Sequence, residues 1–321
     1  MQAIRDMNKI RIGVIGVGHL GAYHLQKYQK LSPAEIFGVA DVVEERAQKA
    51  GSLYGCKAFT DHRELIGNVD AVSIAVPTAS HYHVARDFLA SGIDVLLEKP
   101  IATTTEEAKE LNDLARSKGL IFQVGFVERF NPAIIALEKV IDTPLFVEAH
   151  RLHPFFSRGT DVDVILDLMI HDLDIIIKFA KSPLEDVAAV GVSVLSDRVD
   201  IANARLTFKN GCVANVTASR VTAKTMQKIR FFGLNGYHAV DYSKRELVSL
   251  SKKTGLGNQM DIFKNPVEVN NHDPLEEEIR SFLNSVSSRS APLVSGEDAL
   301  ASLEAASKII EKMKATPGII P

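Results

Sequence analysis

Apolar residues in the first third of the chain fall in short, unbroken runs. IRIGVIGV ends at Val17, and EIFGVAD (35–41), DAVSIAVP (70–77), DVLLEKP (94–100) and LIFQVG (120–125) follow. Runs of this length without polar alternation predict strands buried on both faces. Between them lie LGAYHLQKYQ, VVEERAQKAGSLY, HYHVARDFLASG and TEEAKELNDLARSKG, whose apolar residues recur at helical spacing. Strand and helix in strict alternation predict a parallel, doubly wound sheet.

Beyond residue 125 the rhythm changes. FNPAIIALEKVI reads as a helix and FVEAHRL as a strand. DLMIHDLDIII (167–177) then sets three aspartates and a histidine in a very apolar segment. VAAVGVSVL, IANARLTF, CVANVTASR and QKIRFFG are strand-like, with turn signals at KNG (209–211) and LNGY (234–237). Successive strands joined by tight turns predict a large, mostly antiparallel sheet. Two helices close the chain, around 275–288 and 297–314. Ser295 is placed to cap the second, with Glu297 and Asp298 in its first turn. The fold class is α/β, with a nucleotide-binding domain over 1–125 and a second domain over 126–321, a C-terminal helix being able to return to the first.

Composition narrows the function. The chain has 321 residues, 46 % of them apolar and 24 % charged, with a formal net charge of −3. That is an ordinary globular balance, and the absence of a basic run argues against nucleic acid as partner. Cys56 and Cys212 lie far apart, so neither a thiolate zinc cluster nor a disulfide framework is expected. There is no apolar leader at the start and no run of about 18 apolar residues, which argues against secretion and against membrane insertion. The expectation is a cytoplasmic protein.

GVGHLG (16–21) directly follows the first strand and opens a helix. Gly16 permits a tight turn, Gly18 lets a pyrophosphate approach the backbone, and Gly21 lets the helix pack against the sheet. His19 and Leu20 complete the motif at the helix N-terminus, where free N–H groups favour phosphate. Asp41 ends the next strand, where a carboxylate accepts from ribose hydroxyls and repels a 2′-phosphate. The order of strand, glycines, helix, strand and acid predicts a dinucleotide cofactor, NAD ahead of NADP. Arg46, one turn beyond Asp41, works against that preference.

Other residues sit where chemistry is expected, each with a plainer alternative. Glu98, Lys99 and Pro100 form EKP at the end of the fifth strand, the edge where ligands bind in such sheets. Taken alone, Lys99 also reads as a surface lysine. Asp167, His171 and Asp174 are spaced to share one helical face. Thr78 and His81 follow the fourth strand, and His81 is equally a first-turn helix residue. Arg129 and Asn131 in VERFNPA are candidates to reach a ligand, while Asn131 is also well placed to cap the helix opened by Pro132. Arg158 has the fork to clamp a diphosphate or is a solvated loop residue. His150 and His153 lie on opposite faces of a strand-like segment, so no metal site is expected. The His171–Asp172 doublet is also a feature of metal phosphohydrolases, but those are all-helical.

GVIGVGHLGAYH, AVPTASHYHVA, LLEKPIATTTEEAKEL, VERFNPA, DLMIHDLD and PLVSGEDAL occur in the order found in the Gfo/Idh/MocA oxidoreductases, which the chain resembles from about residue 9 to 314. VERFNPA with DLMIHDLD looks closest to the branch that oxidises UDP-N-acetylglucosamine or its uronate at C3. The resemblance implies a Rossmann domain joined to an α/β domain with a large open sheet. It also implies that Thr78, His81 and Glu98 serve the cofactor and that Lys99, Asp167 and His171 form the catalytic set. The segment SRGTDVDVILD departs from the glycine-rich stretch of many members, and Met169 stands where glycine is common. Both departures bear on substrate identity.

Oxidising a secondary alcohol requires that the hydroxyl proton leave as hydride transfers to NAD⁺. Histidine titrates near neutrality, so His171 is the expected base, with Asp167 orienting it and Lys99 stabilising the developing alkoxide. The roles of Lys99 and His171 are exchangeable. Three functions are in view: a sugar or sugar-nucleotide dehydrogenase, an inositol or polyol dehydrogenase of the same family, and a non-catalytic dinucleotide sensor. A sheet with helices for only one face, and apolar residues in VAAVGVSV and CVANVTA on the other, predicts a homodimer or homotetramer through that sheet.

Overall fold

The computed structural model describes residues 9–155, 162–254 and 260–314. It divides into two compact units, one of 1–127 with 275–300, the other of 128–274 with 301–321. The first holds a six-stranded sheet of β1 (Ile10–Ile15), β2 (Ala34–Ala40), β3 (Lys57–Phe59), β4 (Ala71–Ile74), β5 (Asp94–Glu98) and β6 (Phe122–Gly125). Their order is β3-β2-β1-β4-β5-β6, and every pairing is parallel. Helices α1 (His19–Tyr28), α2 (Glu44–Tyr54), α3 (His81–Ala90) and α4 (Thr105–Ser117) make the crossovers. Strands β4 and β5 are buried along their whole length, as their unbroken apolar runs require.

Local chemistry sets the ends of these helices. Thr104 and Glu107 form a reciprocal capping box that starts α4. Gly55, left-handed at φ 64°, ends α2. A late segment completes this unit: α7 (Pro274–Ser288) buries Ile279, Phe282 and Leu283 in the same core as Ile12, Val14 and Leu96. Complete burial of such side chains contributes roughly 1.5–3 kcal/mol each, which is what draws the segment back.

The second unit is built on eight strands: β7 (Phe146–Leu152), β8 (Leu184–Val192), β9 (Ile201–Phe208), β10 (Val213–Ser219), β11 (Met226–Phe232), β12 (Gly236–Asp241), β13 (Glu246–Thr254) and β14 (Met260–Asn265). Their order is β14-β13-β12-β11-β7-β10-β9-β8. All neighbours are antiparallel except β7 and β10. Helix α5 (Pro132–Glu138), a π-helical turn at Ile165–Met169 and α6 (Ile170–Ala180) lie on one face. Val147, Leu206, Val216 and Phe231 project from the sheet into that core. Helix α8 (Gly296–Lys314) starts with Ser295 accepting from Asp298 N–H at 3.2 Å.

The other face of the sheet differs from the apolar one expected. In CVANVTA the buried residues are Cys212, Ala214, Val216 and Ala218, and the outward ones are Val213, Asn215 and Thr217. Strand parity decides this, since every second residue faces the same way. Polar pairs occupy the outward positions: Asn203 with Thr217, Arg205 with Asn215, and Arg230 with Glu148. Exposed Val190, Val192 and Val248 surround them. Among the described residues, no helix is long and apolar enough to cross a membrane.

Candidate active site

The β1–α1 turn carries the glycine motif. Gly16 is left-handed at φ 80°, and a Cβ there would lie 2.6 Å from the Ala75 carbonyl oxygen. A Cβ on Gly21 would lie 1.9 Å from the Gly16 carbonyl oxygen. These two glycines are therefore required by the fold itself. Gly18 is different: a Cβ there would meet nothing within 4 Å. Its backbone borders a cavity of about 540 Å³, lined also by Leu20, Asp41, Arg46, Thr60 and His62. Helix α1 begins at this wall with no side chain capping it and no acid in its first turn. Its first N–H groups thus stay available to an anion.

Asp41 ties the turn together. One carboxylate oxygen accepts from Val17 N–H at 3.0 Å, the other from Val43 N–H at 2.9 Å. Each oxygen keeps lone-pair capacity for a ribose hydroxyl. The small cradle over Gly18, the uncapped helix and the acid at the far wall together fit a dinucleotide. Thr60 and His62, which sequence reasoning missed, follow β3, a three-residue edge strand too short to stand out as a run.

The remaining candidates of this unit occupy distinct positions. His19 is exposed and Thr78 half-buried. His81 is off the cavity wall: it is 1 % exposed, with Nδ1 2.7 Å from the Pro100 carbonyl oxygen and Nε2 2.9 Å from that of Val76. Burial lowers its pKa, against the raising effect of both carbonyls. A neutral ring donates to only one of them, so His81 braces the ends of β4 and β5 from behind. Glu98 is buried, with Oε1 3.0 Å from His24 Nε2. Lys99 is half-buried, and its bond to Pro100 is cis.

In the second unit, DLMIHDLDIII resolves into two kinds of residue. Asp167 lies in the π-helical turn and His171 at the start of α6, both half-buried. The wider i→i+5 turn gathers residues four to five apart on one side, and such turns concentrate at functional sites. Asp172 and Asp174 are buried and paired. Arg151 donates to Asp172 at 2.8 and 3.1 Å and to Glu128 at 3.0 Å, and its guanidinium stacks 4.7 Å over the Tyr242 ring. Burial opposes the charge of Arg151, but Asp172 and Glu128 outweigh it and raise its pKa.

Arg129, a candidate ligand contact, is 4 % exposed and donates to Asp174 at 2.5 and 2.8 Å. Asn131 caps α5 by accepting from Ala133 N–H, and its amide donates to the Tyr242 carbonyl oxygen and to Glu128. Both side chains are thus engaged in holding this unit together. Arg158 lies outside the described residues. His150 faces outward on β7, and His153 Nδ1 contacts the Pro154 carbonyl oxygen. Among the described residues, no three His, Cys, Asp or Glu side chains are grouped to hold a metal ion.

Comparison with known proteins bears on both units. "Oxidoreductase family, NAD-binding Rossmann fold" (GFO_IDH_MocA) matches residues 10–126, and "GFO/IDH/MocA C-terminal domain" matches 141–238. The chain is 39 % identical over 282 residues to UDP-N-acetylglucosamine 3-dehydrogenase of Acidithiobacillus ferrooxidans, covering 87 % of this chain and 90 % of that protein. It belongs to the Gfo/Idh/MocA family. As a member it is an NAD-dependent oxidoreductase. Another Gfo/Idh/MocA-like relative is myo-inositol 2-dehydrogenase of Thermotoga maritima, 28 % identical over 90 % of this chain and 92 % of that protein. A solved structure titled UDP-N-acetylglucosamine 3-dehydrogenase GnnA, from Acidithiobacillus ferrooxidans, matches with a TM-score of 0.88 and 36 % identity, covering 96 % of this chain and 99 % of that one.

Proposed function

We propose that the protein oxidises the C3 hydroxyl of UDP-N-acetylglucosamine, or of a closely related UDP-sugar, to a ketone. The observation that carries this reading is the likeness to UDP-N-acetylglucosamine 3-dehydrogenase, at 39 % identity across 87 % of this chain. It extends beyond the cofactor half, whereas a shared Rossmann fold by itself leaves substrate open.

NAD⁺ accepts the hydride when bound. Gly16, Gly18 and Gly21 shape the turn that receives its pyrophosphate, and Asp41 takes the ribose hydroxyls. His171 removes the hydroxyl proton, because imidazole as a side-chain type can both take up and give back a proton near neutrality. Asp167, one turn before it, orients the ring and stabilises its charged form. Lys99 donates to the developing alkoxide. Glu98 and His81 hold the strand ends that carry Lys99, and so act on the cofactor side through position.

The reading includes a homodimer or homotetramer formed through the outward face of the eight-stranded sheet, where polar pairs set register and the surrounding valines supply apolar area. The unlinked thiols of Cys56 and Cys212 fit a cytoplasmic setting.

The test is to follow NADH absorbance with NAD⁺ and a panel of UDP-sugars, myo-inositol and other polyols. Turnover is expected with UDP-N-acetylglucosamine, and Lys99→Ala and His171→Ala are each expected to lower kcat by about 10²–10⁴-fold. Preference for a free polyol would overturn the substrate; no oxidation of any of them, wild type and variants alike, would overturn the activity.

A further inference from the structure

The π-helical turn that carries Asp167 is entered through Asp163, a residue with no part in the chemistry above. Its backbone carbonyl accepts from Leu166 N–H at 3.0 Å and from Asp167 N–H at 3.1 Å. Its side chain reaches a different part of the chain, where Oδ1 accepts from Val199 N–H at 3.1 Å. The next residue returns that bond, Val164 N–H donating to the Val199 carbonyl oxygen at 3.0 Å. The two bonds form a reciprocal pair between the entry to the turn and the loop that joins β8 to β9. The leading N–H groups of a helix have no acceptor within it. Here Val164 finds one at Val199, and Leu166 and Asp167 find theirs at Asp163.

Val199 is itself held from several sides. It is 4 % exposed, and its carbonyl also accepts from the Arg220 guanidinium at 3.3 Å. Arg220 is fully buried and donates to the Asp200 carboxylate through Nε at 2.8 Å and to the Asp200 carbonyl through its backbone N–H at 2.9 Å. The Val199 side chain fills the room left by Gly191 on β8, where a Cβ would lie 2.7 Å from Val199 Cγ1. A peptide unit locked by packing and by a satisfied polar network is a rigid reference for whatever is tied to it.

We propose that Asp163 is a positioning residue for the proton-transfer pair. Its side chain ties the entry of the π-helical turn to Val199 and its carbonyl holds the Asp167 N–H, so that Asp167 and then His171 start from a fixed backbone. The proposal rests on the reading of Asp167 and His171 as catalytic. What the Asp163 side chain contributes is an acceptor rather than a charge, and an amide oxygen of the same reach serves equally. Asp163 and Val199 also line a cavity of about 150 Å³, with Arg198, Ile310 and Lys314. Water there can take over the Val199 N–H when the side chain is shortened, so removing the carboxylate loosens the turn without stranding a buried donor.

Hydrogen–deuterium exchange on the full-length protein tests the tether. In Asp163→Ala the peptide spanning residues 164–171 is expected to exchange at least about 10-fold faster than in wild type. In Asp163→Asn it should exchange at close to the wild-type rate, because the amide oxygen still accepts from Val199 N–H. Unchanged exchange in Asp163→Ala overturns the tether; equally fast exchange in both variants overturns the acceptor role. Steady-state kinetics with NAD⁺ and UDP-N-acetylglucosamine test the positioning, with kcat counted per NADH-binding site so that unfolded chains do not enter. Asp163→Ala is expected to lose about 10- to 100-fold in kcat while its KM for NAD⁺ stays within about 2-fold of wild type, and Asp163→Asn should recover most of the loss. Both variants should melt within about 4 °C of wild type. A wild-type kcat in Asp163→Ala, or an Asn variant as slow as Ala, overturns the positioning role. If the wild-type protein oxidises no sugar nucleotide, the proposed activity fails and the positioning role with it, while the exchange arm still decides the tether.

Discussion

Arg151 and Asp172 form a two-pronged ion pair, at 2.8 and 3.1 Å, in which the arginine is 4 % and the aspartate 0 % exposed. The pair fastens α6 to β7 and so fixes the helix whose first turn carries His171. Breaking it from one side leaves a buried charge without its partner, which typically costs about 3–5 kcal/mol. Arg151→Met and Asp172→Asn are each expected to lower stability by that order in urea titration. The two changes combined should cost less than their sum, because the second removes the charge stranded by the first. Two single variants within about 1 kcal/mol of wild type would mean that the pair contributes little.

The glycines of the first turn separate folding from binding. Gly18→Ala adds a Cβ that meets no protein atom, so its melting temperature should match wild type while NADH affinity falls at least about 10-fold, the methyl standing where the pyrophosphate must approach. Gly21→Ala drives a Cβ into the Gly16 carbonyl and should lose stability first. Fluorescence titration with NADH beside a thermal melt distinguishes the two. Equal losses of stability in both would contradict the assignment of Gly18 to the ligand.

Much of this was legible in the chain because it is local. The unbroken runs of β4 and β5 need no distant partner to be read as buried strands, and a glycine motif between strand and helix carries its own geometry. β3 escaped notice because three residues make no periodic signal. β12, β13 and β14 were hidden by polar and charged residues, as in ELVSLSKKT, where Leu247, Val248 and Leu250 are the only apolar residues and two of them are adjacent, so no alternation shows.

Asp172 and Asp174 remained without roles for another reason. Their partners, Arg151 and Arg129, lie in other elements, and a helix does not announce what packs on it. The signal was present in FVEAHRL: Arg151 is in phase with Val147 and Ala149, so strand parity alone puts it on the buried face, where a charge demands a counter-ion. The burial of Glu278 has no such local mark, since it sits in an acidic helix start, PLEEE, where exposed acids are ordinary.

On the proposed reading, Asp41 couples cofactor choice to the shape of the turn. Its oxygens hold Val17 N–H and Val43 N–H, so Asp41→Ala removes the ribose acceptor and loosens the loop together. The KM for NAD⁺ is expected to rise by at least about 10-fold, the loss of one or two hydrogen bonds to a charged group. With the carboxylate gone, Arg46 on the same cavity wall is left to meet a 2′-phosphate, so discrimination against NADP⁺ should narrow. Comparing kcat/KM for the two cofactors checks this. An unchanged ratio would place cofactor choice elsewhere.

Asp200 sets the acid limit of the second unit. It accepts from the N–H groups of Val194, Leu195 and Ser196, from the Ser196 hydroxyl, and from Arg220 at 2.8 Å. Burial opposes its charge, but the Ser196 hydroxyl, the Leu195 N–H, the Arg220 guanidinium and the Val194 N–H outweigh that and hold its pKa well below the usual carboxylate range. A carboxylate whose pKa is lower in the folded state than in the unfolded one stabilises the fold above the unfolded value, about 3.9. That contribution drains away as pH falls from there toward the folded value. Asp200→Asn should therefore be less stable than wild type at pH 7, and the difference should shrink progressively as the solution is acidified below about pH 4. Urea midpoints measured at several pH values for both proteins check the sign. A gap that widened with acid would mean that Asp200 takes up its proton more readily in the folded chain than in the unfolded one, contrary to the five donors around it.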